Sequence, residues 1–254
     1  MRNLADRHQY IIQKIQENGQ VSVVELCNEL DVSAVTIRKD LKLLEDKQLL
    51  YRTHGGASLH NPYIRDKPVN EKAVIQAAEK DLIGKAAAAM IRPNDTIIIA
   101  SGTTVLALAR NIVPQGNLTV ITASLPVAME LSSHPDVDIL QLGGQLRHSS
   151  FSVTGPFAEK LLSEISCSKL FIGVDGIDPE YGLTTTNLME ARLNQQMLRS
   201  AQVTVVLADS SKFGKRSFGK ICNLHEIERI ITDAGISKHM VKALEDAGVT
   251  VTIV

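Results

Sequence analysis

The sequence predicts two domains, a small helical head followed by a larger α/β body. Three observations carry this. At about 150 residues per domain, the length of 254 residues allows a small domain joined to a medium one as well as one large domain. Composition shifts once, between roughly residues 55 and 70, where Gly55-Gly56, Asn61-Pro62 and Arg65-Asp66-Lys67-Pro68 make a polar, breaker-rich stretch. Short helical patterns fill the chain before that stretch, whereas apolar β-branched runs alternate with helical periodicity after it. The boundaries that follow are a head at 1–57, a linker at 58–74 and a body at 75–254.

In the head, Tyr10, Ile11, Ile12 and Ile15 give a helical apolar face that stops at Asn18-Gly19. Ser22-Val23-Val24-Glu25 has the capping-box spacing and opens a second helix through Leu30. Asp31-Val32 turns the chain, and Ser33 caps a third helix whose Ile37, Leu41 and Leu44 form one stripe. This is a helix-turn-helix pattern. With that stripe turned inward, Ser33, Ala34, Thr36, Arg38, Lys39 and Lys42 remain for the other faces. Small polar residues at a helix start approach base edges, and Arg and Lys further along reach guanine or phosphate. From spacing alone, a solvated face of a structural bundle fits equally well.

Leu49-Leu50-Tyr51-Arg52-Thr53 then reads as a short strand running into a His54-Gly55-Gly56 tip, the hairpin a winged helix-turn-helix requires. Arg52 and His54 would touch the DNA backbone or minor groove. The residues Arg7, Ile11, Ile15, Ser33 and Thr36-Ile37-Arg38-Lys39-Asp40-Leu41 resemble the N-terminal signature of the DeoR family of bacterial transcriptional regulators. The resemblance implies that Ser33, Ala34, Thr36, Arg38, Lys39, Lys42, Arg52 and His54 form a DNA-binding surface.

The net charge of −1 excludes a uniformly basic protein that adheres to any polyanion. Charges balance within the head too, so placement must do the binding. Cys27, Cys167 and Cys222 are odd in number and lack ligand spacing, as in a reduced, cytoplasmic chain. No apolar run reaches the roughly 18 residues of a membrane helix, and the polar start has no signal-peptide pattern. The seven His residues show no HExxH or paired spacing, so neither a metal nor a cofactor is expected.

Beyond the breaker-rich stretch a helical pattern runs from Glu71, at the end of the linker, to Met90, with Ile75, Ala78, Leu82 and Ala86 among its apolar positions. Thr96 to Ala100 reads as a buried strand leading through Ser101-Gly102-Thr103-Thr104 into a helix. Strand, small-residue turn and helix point backbone N–H groups at an anion, although a plain βα turn fits these residues equally well. Neither a Walker loop nor a GxGxxG fingerprint is present. Further strands at 118–122, 137–142, 170–174 and 203–208 lead to Ala123-Ser124, to Gly143-Gly144-Gln145-Leu146-Arg147, to Asp175-Gly176-Ile177-Asp178 and to Asp209-Ser210-Ser211-Lys212. In an open α/β sheet, ligands bind where the strands end.

These segments, with Gly182-Leu183-Thr184-Thr185 and Glu190, resemble the C-terminal sensor domain of the DeoR family, which belongs to a group of sugar-phosphate isomerase-like folds. The resemblance implies a phosphorylated sugar or related metabolite as effector. Its phosphate would sit on Ser101, Gly102, Thr103 and Thr104. Ser124, Gly143, Gly144, Arg147, Asp175, Gly176, Glu190 and Lys212 would complete the pocket. Family members often carry Asp before the first turn and Asn before the Ser of the next, where this chain has Ala100 and Ala123. Those departures change which hydroxyls the pocket can satisfy and leave the effector's identity open between a less typical ligand and an altered affinity.

The predicted function is a transcriptional regulator, a repressor of a carbohydrate operon, binding double-stranded operator DNA as a homo-oligomer, dimer or tetramer, without a membrane. The alternative is a sugar-phosphate isomerase, with Asp175, Asp178 and Glu190 as candidate carboxylates. In ribose-phosphate isomerases an Asp-Glu pair stands where this chain has Asp175-Gly176, and the lysine expected near Glu180-Tyr181-Gly182 is absent. No enzyme is predicted.

Overall fold

A computed structural model describes residues 4–47, 49–53, 55–59 and 68–254. The chain divides into two compact units, Met1–Arg65 and Asp66–Val254. His54 and most of the breaker-rich stretch, residues 60–67, lie outside the described residues.

The first unit runs α1 (Leu4–Asn18), β1 (Gln20–Ser22), α2 (Val23–Leu30), α3 (Ala34–Asp46), β2 (Tyr51–Thr53) and β3 (Gly56–Ser58). Ile11 and Ile15 of α1, Leu26 and Leu30 of α2, and Ile37, Leu41 and Leu44 of α3 close one apolar core with Leu50 and Ala57. Both predicted caps are present: Ser22 Oγ accepts from Glu25 N at 3.1 Å and Ser33 Oγ from Thr36 N at 3.3 Å. Glu25 itself pairs with Lys14 at 2.9 Å. The predicted hairpin is joined by β1, whose three residues run directly into the cap of α2, giving an antiparallel sheet of order β1-β3-β2. Three helices with this wing are the winged helix-turn-helix that the sequence predicts.

The second unit begins with α4 (Val69–Ala73), α5 (Ala77–Ala88), β4 (Thr96–Ile99), α6 (Thr103–Arg110), β5 (Leu118–Thr122), α7 (Leu125–Leu131), β6 (Val137–Gln141), β7 (Gln145–Arg147) and β8 (Ser152–Thr154). It continues with α8 (Pro156–Ser163), β9 (Cys167–Gly173), β10 (Gly176–Asp178), β11 (Gly182–Thr185), α9 (Leu188–Ser200), β12 (Ala201–Leu207), β13 (Gly219–Cys222), β14 (Arg229–Thr232), α10 (Lys238–Asp246) and β15 (Thr250–Ile253). Seven strands form one parallel sheet of order β15-β14-β12-β9-β4-β5-β6. Side chains alternate across it. Ile97, Ile99, Phe171, Val205 and Leu207 join a core under α5, α6 and α7, while Ile98, Leu170, Ile172 and Val206 join one under α8, α9 and α10. The sheet is therefore buried on both faces, which explains its continuous β-branched runs.

The order reverses between β4 and β9, so the crevice beyond their C-terminal ends is the topological switch point where ligands bind in open α/β sheets. Two small antiparallel additions flank that edge, the β7–β8 hairpin and the β10-β11-β13 sheet.

The single helix expected from Glu71 to Met90 is two. The chain breaks after Ala73, and Gln76 takes a left-handed conformation with φ 53° before α5 starts. Lys80 stabilises the break: its Nζ donates to Lys72 O and Ile75 O, each at 2.6 Å, and so satisfies carbonyls at the end of α4. The inward face of α5 is Lys80, Ile83, Gly84 and Ala87, whereas Ile75, Ala78 and Leu82, apolar positions by periodicity, are exposed.

Burial pushes the thiols of Cys167 and Cys222 up to about 11 and about 12. Thiolate is the reactive form, so iodoacetamide at pH 8 is expected to leave both unmodified in the native protein and to confine labelling to half-buried Cys27. Peptide mass spectrometry checks this; rapid labelling of Cys222 would contradict it. No helix among the described residues is long and apolar enough to cross a membrane.

Candidate functional site

In the head, the inward stripe of α3 fixes what faces out. Val35, Arg38, Lys39 and Lys42 stand at i, i+3, i+4 and i+7 and are all exposed, forming one ridge opposite Ile37, Leu41 and Leu44. Ser33 and Thr36 join their hydroxyls at 3.0 Å at the start of the helix, and Ala34 and Thr36 are half-buried. Arg52 is turned toward α3: its backbone N donates to Glu45 Oε1 at 2.9 Å, and its Nη1 lies 3.8 Å from Glu45 Oε2. Val35 is not among the residues predicted for this surface, yet it is 61 % exposed and offers methyl groups on the ridge. Its helical spacing from Arg38 and Lys39 is the signal that marks it.

Asp40, on the same helix, is 2 % exposed. It accepts from Arg7 Nε at 2.8 Å and Nη2 at 3.1 Å and lies 3.3 Å from His8 Nε2. This cluster ties α1 to α3 and sets the orientation of the ridge.

In the second unit, a solvent-open cleft lies at the β4/β9 switch point. Ser101, Gly102, Thr103 and Thr104 line one side. Gly102 stands at φ 132°, a backbone that side chains rarely adopt. Among the described residues, no side chain caps the first N–H groups of α6. Gly173 and Asp175 face them from the end of β9, and Lys212 comes from the short 3-10 turn after β12.

Asp175 accepts from Lys72 Nζ at 3.0 Å, Thr185 Oγ1 at 3.0 Å and Thr186 N at 3.2 Å. Burial opposes its ionisation, but the charges of Lys72 and Lys212 and the hydrogen bonds from Lys72 and Thr185 outweigh it, so the carboxyl is held below its ordinary range. Glu190, capped onto α9 by Asn187, pairs with Arg147 and accepts from Ser152 Oγ at 3.2 Å. Behind Lys72, burial and the neighbouring Lys212 and Lys72 charges bring the Lys80 ammonium down to about 8, against the pull of Asp209. A cationic rim, uncapped helix N–H groups and two fixed carboxylates can hold a phosphate at one end and hydroxyls at the other.

The DeoR-like helix-turn-helix domain matches residues 7–62, and the DeoR C terminal sensor domain matches residues 75–234. This chain belongs to the DeoR family of transcriptional regulators. The HTH-type transcriptional regulator YulB of Bacillus subtilis is 36% identical over 251 residues, 99% of this chain and 97% of that protein. A putative aga operon transcriptional repressor of Escherichia coli O157:H7 is 37% identical over 253 residues, 98% and 94%. The glycerol-3-phosphate regulon repressor of Escherichia coli K12 is 29% identical over 240 residues, 94% and 95%. Among solved structures, ribose 5-phosphate isomerase A of Methanocaldococcus jannaschii matches with a TM-score of 0.39 and 16% identity, covering 54% of this chain and 55% of that one.

Of the pocket residues predicted for this DeoR-family regulator, Ser101, Gly102, Thr103, Thr104, Asp175, Glu190 and Lys212 line one cleft. Five others have different surroundings. Ser124 is buried and caps α7 through Val127 N at 3.4 Å. A Cβ at Gly144 would lie 2.5 Å from Thr154 O, and one at Gly176 would lie 2.5 Å from Lys215 O, so close backbone packing explains both glycines. Gly143 precedes the β7–β8 hairpin, and Arg147 backs Glu190 from within it. Conversely, Lys72, Ser149, Ser150, Thr185 and Asn194 line the cleft without being predicted there. Asn194 is accessible to sequence reasoning, one helical turn after Glu190 on α9. Lys72 is not, because its position in the sequence falls in the linker.

Proposed function

We propose that this DeoR-family regulator is a repressor that inserts the α3 ridge into the major groove of operator DNA as a homo-oligomer, and that a phosphorylated sugar in the cleft alters that binding. The observation that supports the ligand reading is the convergence at one switch point of the α6 N-terminus, Lys72, Lys212 and the carboxylates Asp175 and Glu190. The names of the aga operon and glycerol-3-phosphate regulon repressors agree with it. The ridge of Val35, Arg38, Lys39 and Lys42 supports the DNA reading. Pairing of heads supplies the affinity that one charge-balanced head lacks.

Anisotropy of labelled DNA from upstream of its own gene, titrated over salt with and without a phosphosugar panel, tests the proposal. Specific binding is expected, weakened or strengthened by one panel member. Arg38→Ala should cost about 1–3 kcal/mol per head if it reads a base, while Lys39→Ala should lower the salt slope by about 1 for each phosphate it neutralises. Retention no stronger than that of unrelated DNA at moderate salt would overturn it.

A further inference from the structure

The parallel sheet of the second unit ends in two edges, β15 on one side and β6 on the other. An edge strand presents N–H and C=O groups with which another chain can pair, and proteins ordinarily blunt it with charge or proline. β6 carries the exposed Asp138. β15 carries no such group, because every residue from Thr250 to Val254 is β-branched and uncharged. Thr250 N donates to Glu228 O at 3.0 Å and Val254 N to Thr232 O at 2.9 Å, so by alternation Val251 and Ile253 turn their backbone groups outward. Among the described residues no strand pairs with that side, and Ile253 is 49 % exposed.

The helix beside this strand carries its charges in reverse. α10 lies against β15, with Leu244 in the core beneath it and Met240 packed on that core. Lys238 and Lys242 are exposed toward its start, and Glu245 and Asp246 are exposed in its last turn. A helix macrodipole favours the opposite placement, so in a lone protomer these charges cost stability. Beside an antiparallel helix with the same pattern they become favourable.

We propose that β15 is the seam between two copies of this chain, paired antiparallel around a two-fold axis at Thr252, with α10 of each copy beside α10 of the other. The proposal rests on the homo-oligomer reading above. Such a contact is isologous, so one edge must complement itself. Centring it on Thr252 sets Val251 opposite Ile253 of the second copy, and the outward N–H and C=O groups of both exchange hydrogen bonds. The same axis, perpendicular to the sheet, turns α10 antiparallel to its copy. Lys238 and Lys242 then face the second copy's Glu245 and Asp246, and each helix N-terminus lies beside a C-terminus. A charge pattern that is unfavourable in one protomer is complementary in two, which selects a second copy over an unrelated strand.

Sedimentation velocity of the full chain over a micromolar concentration series tests this, with circular dichroism to follow the fold of each variant. Ile253→Pro removes an outward N–H at an edge position, where proline is tolerated, and should weaken self-association about tenfold or more. Lys238→Glu combined with Lys242→Glu sets like charges together across the axis and should also weaken it about tenfold. Helix content should be kept in that variant, because acidic residues suit a helix N-terminus. Adding Glu245→Lys and Asp246→Lys to it should restore wild-type association, which a damaged fold would not. An assembly whose dissociation constant is the same in wild type, in Ile253→Pro and in the Lys238→Glu, Lys242→Glu variant overturns the seam and leaves the homo-oligomer reading standing. Weakening by Ile253→Pro without restoration by the reversed charges overturns the α10 pairing and the axis at Thr252. A wild type that stays monomeric throughout the series overturns the homo-oligomer reading and this proposal with it.

Discussion

Replacing Asp40 with alanine is expected to destabilise the head by about 3 kcal/mol while the second unit keeps its stability. Asp40 is 2 % exposed and accepts both Arg7 bonds, at 2.8 and 3.1 Å. Removing one partner of a buried pair costs about 3–5 kcal/mol, because the other charge keeps its desolvation without its counterion. Arg7 retains 14 % side-chain exposure, so relaxation toward water places the cost near the lower end, about 3 kcal/mol. A unit of this size is stabilised by roughly 3–9 kcal/mol at typical values per residue, so a loss of that order populates unfolded heads. Amide exchange in α1 and α3 of the full chain should accelerate about 100-fold, with exchange in β4, β9 and β12 unchanged, and operator binding should weaken in proportion. Asp40→Asn, whose amide oxygen still accepts, should cost about half as much. A shift in head exchange under about twofold for Asp40→Ala would show that the pair contributes nothing to the fold.

Gly84→Val should destabilise the second unit by about 3 kcal/mol, near the upper range for overpacked cores. A Cβ at Gly84 would lie 2.6 Å from the Ala107 carbonyl carbon, 2.7 Å from its oxygen and 2.8 Å from Leu108 N. All three are backbone atoms of α6, so no rotamer change relieves the clash; α5 and α6 must separate. Helix propensity works the other way, but replacing glycine gains at most about 1 kcal/mol, and the clash wins. The midpoint of the second thermal transition should fall by roughly 6–12 °C. Because α6 begins at the Ser101–Thr104 turn, its displacement should also weaken any phosphosugar that stabilises wild type. An unchanged midpoint would mean that α5 slides along α6 at little cost.

The elements legible in the sequence are those whose signal is local. Ser22 and Ser33 cap because a hydroxyl just before an apolar stripe has few other partners, and both caps are present. The strands 96–100, 118–122, 170–174 and 203–208 are readable because burial on both faces demands continuous apolar runs, while 137–142 lies at the edge of the sheet, where more and less buried residues alternate. β14 and β15 are not among them, although Ile230, Ile231, Val251 and Ile253 carry the same pattern. α4 and α5 read as one helix because periodicity counts side chains and cannot see that Lys80 turns inward to take two carbonyls. β1, β7, β10 and β13 are strands of three or four residues, too short for alternation to mark them, and pairing within small sheets defines them.

The candidate cleft divides in the same way. Ser101–Thr104, Asp175 and Lys212 are visible in the sequence because each follows the end of a strand, whereas Glu190 is marked only by the family resemblance. Residue order by itself determined the two-domain plan, the ridge of Arg38, Lys39 and Lys42, and the polar groups available for a ligand. Tertiary structure alone decided which of them meet. The parallel order places the ends of β4 and β9 side by side and leaves Ser124 to cap α7 and Gly144 to pack on Thr154. It also brings Lys72 to Asp175, across 103 positions of sequence. Contacts of that separation are set by strand order and by the burial of a sheet on both faces, quantities that no local spacing of residues encodes.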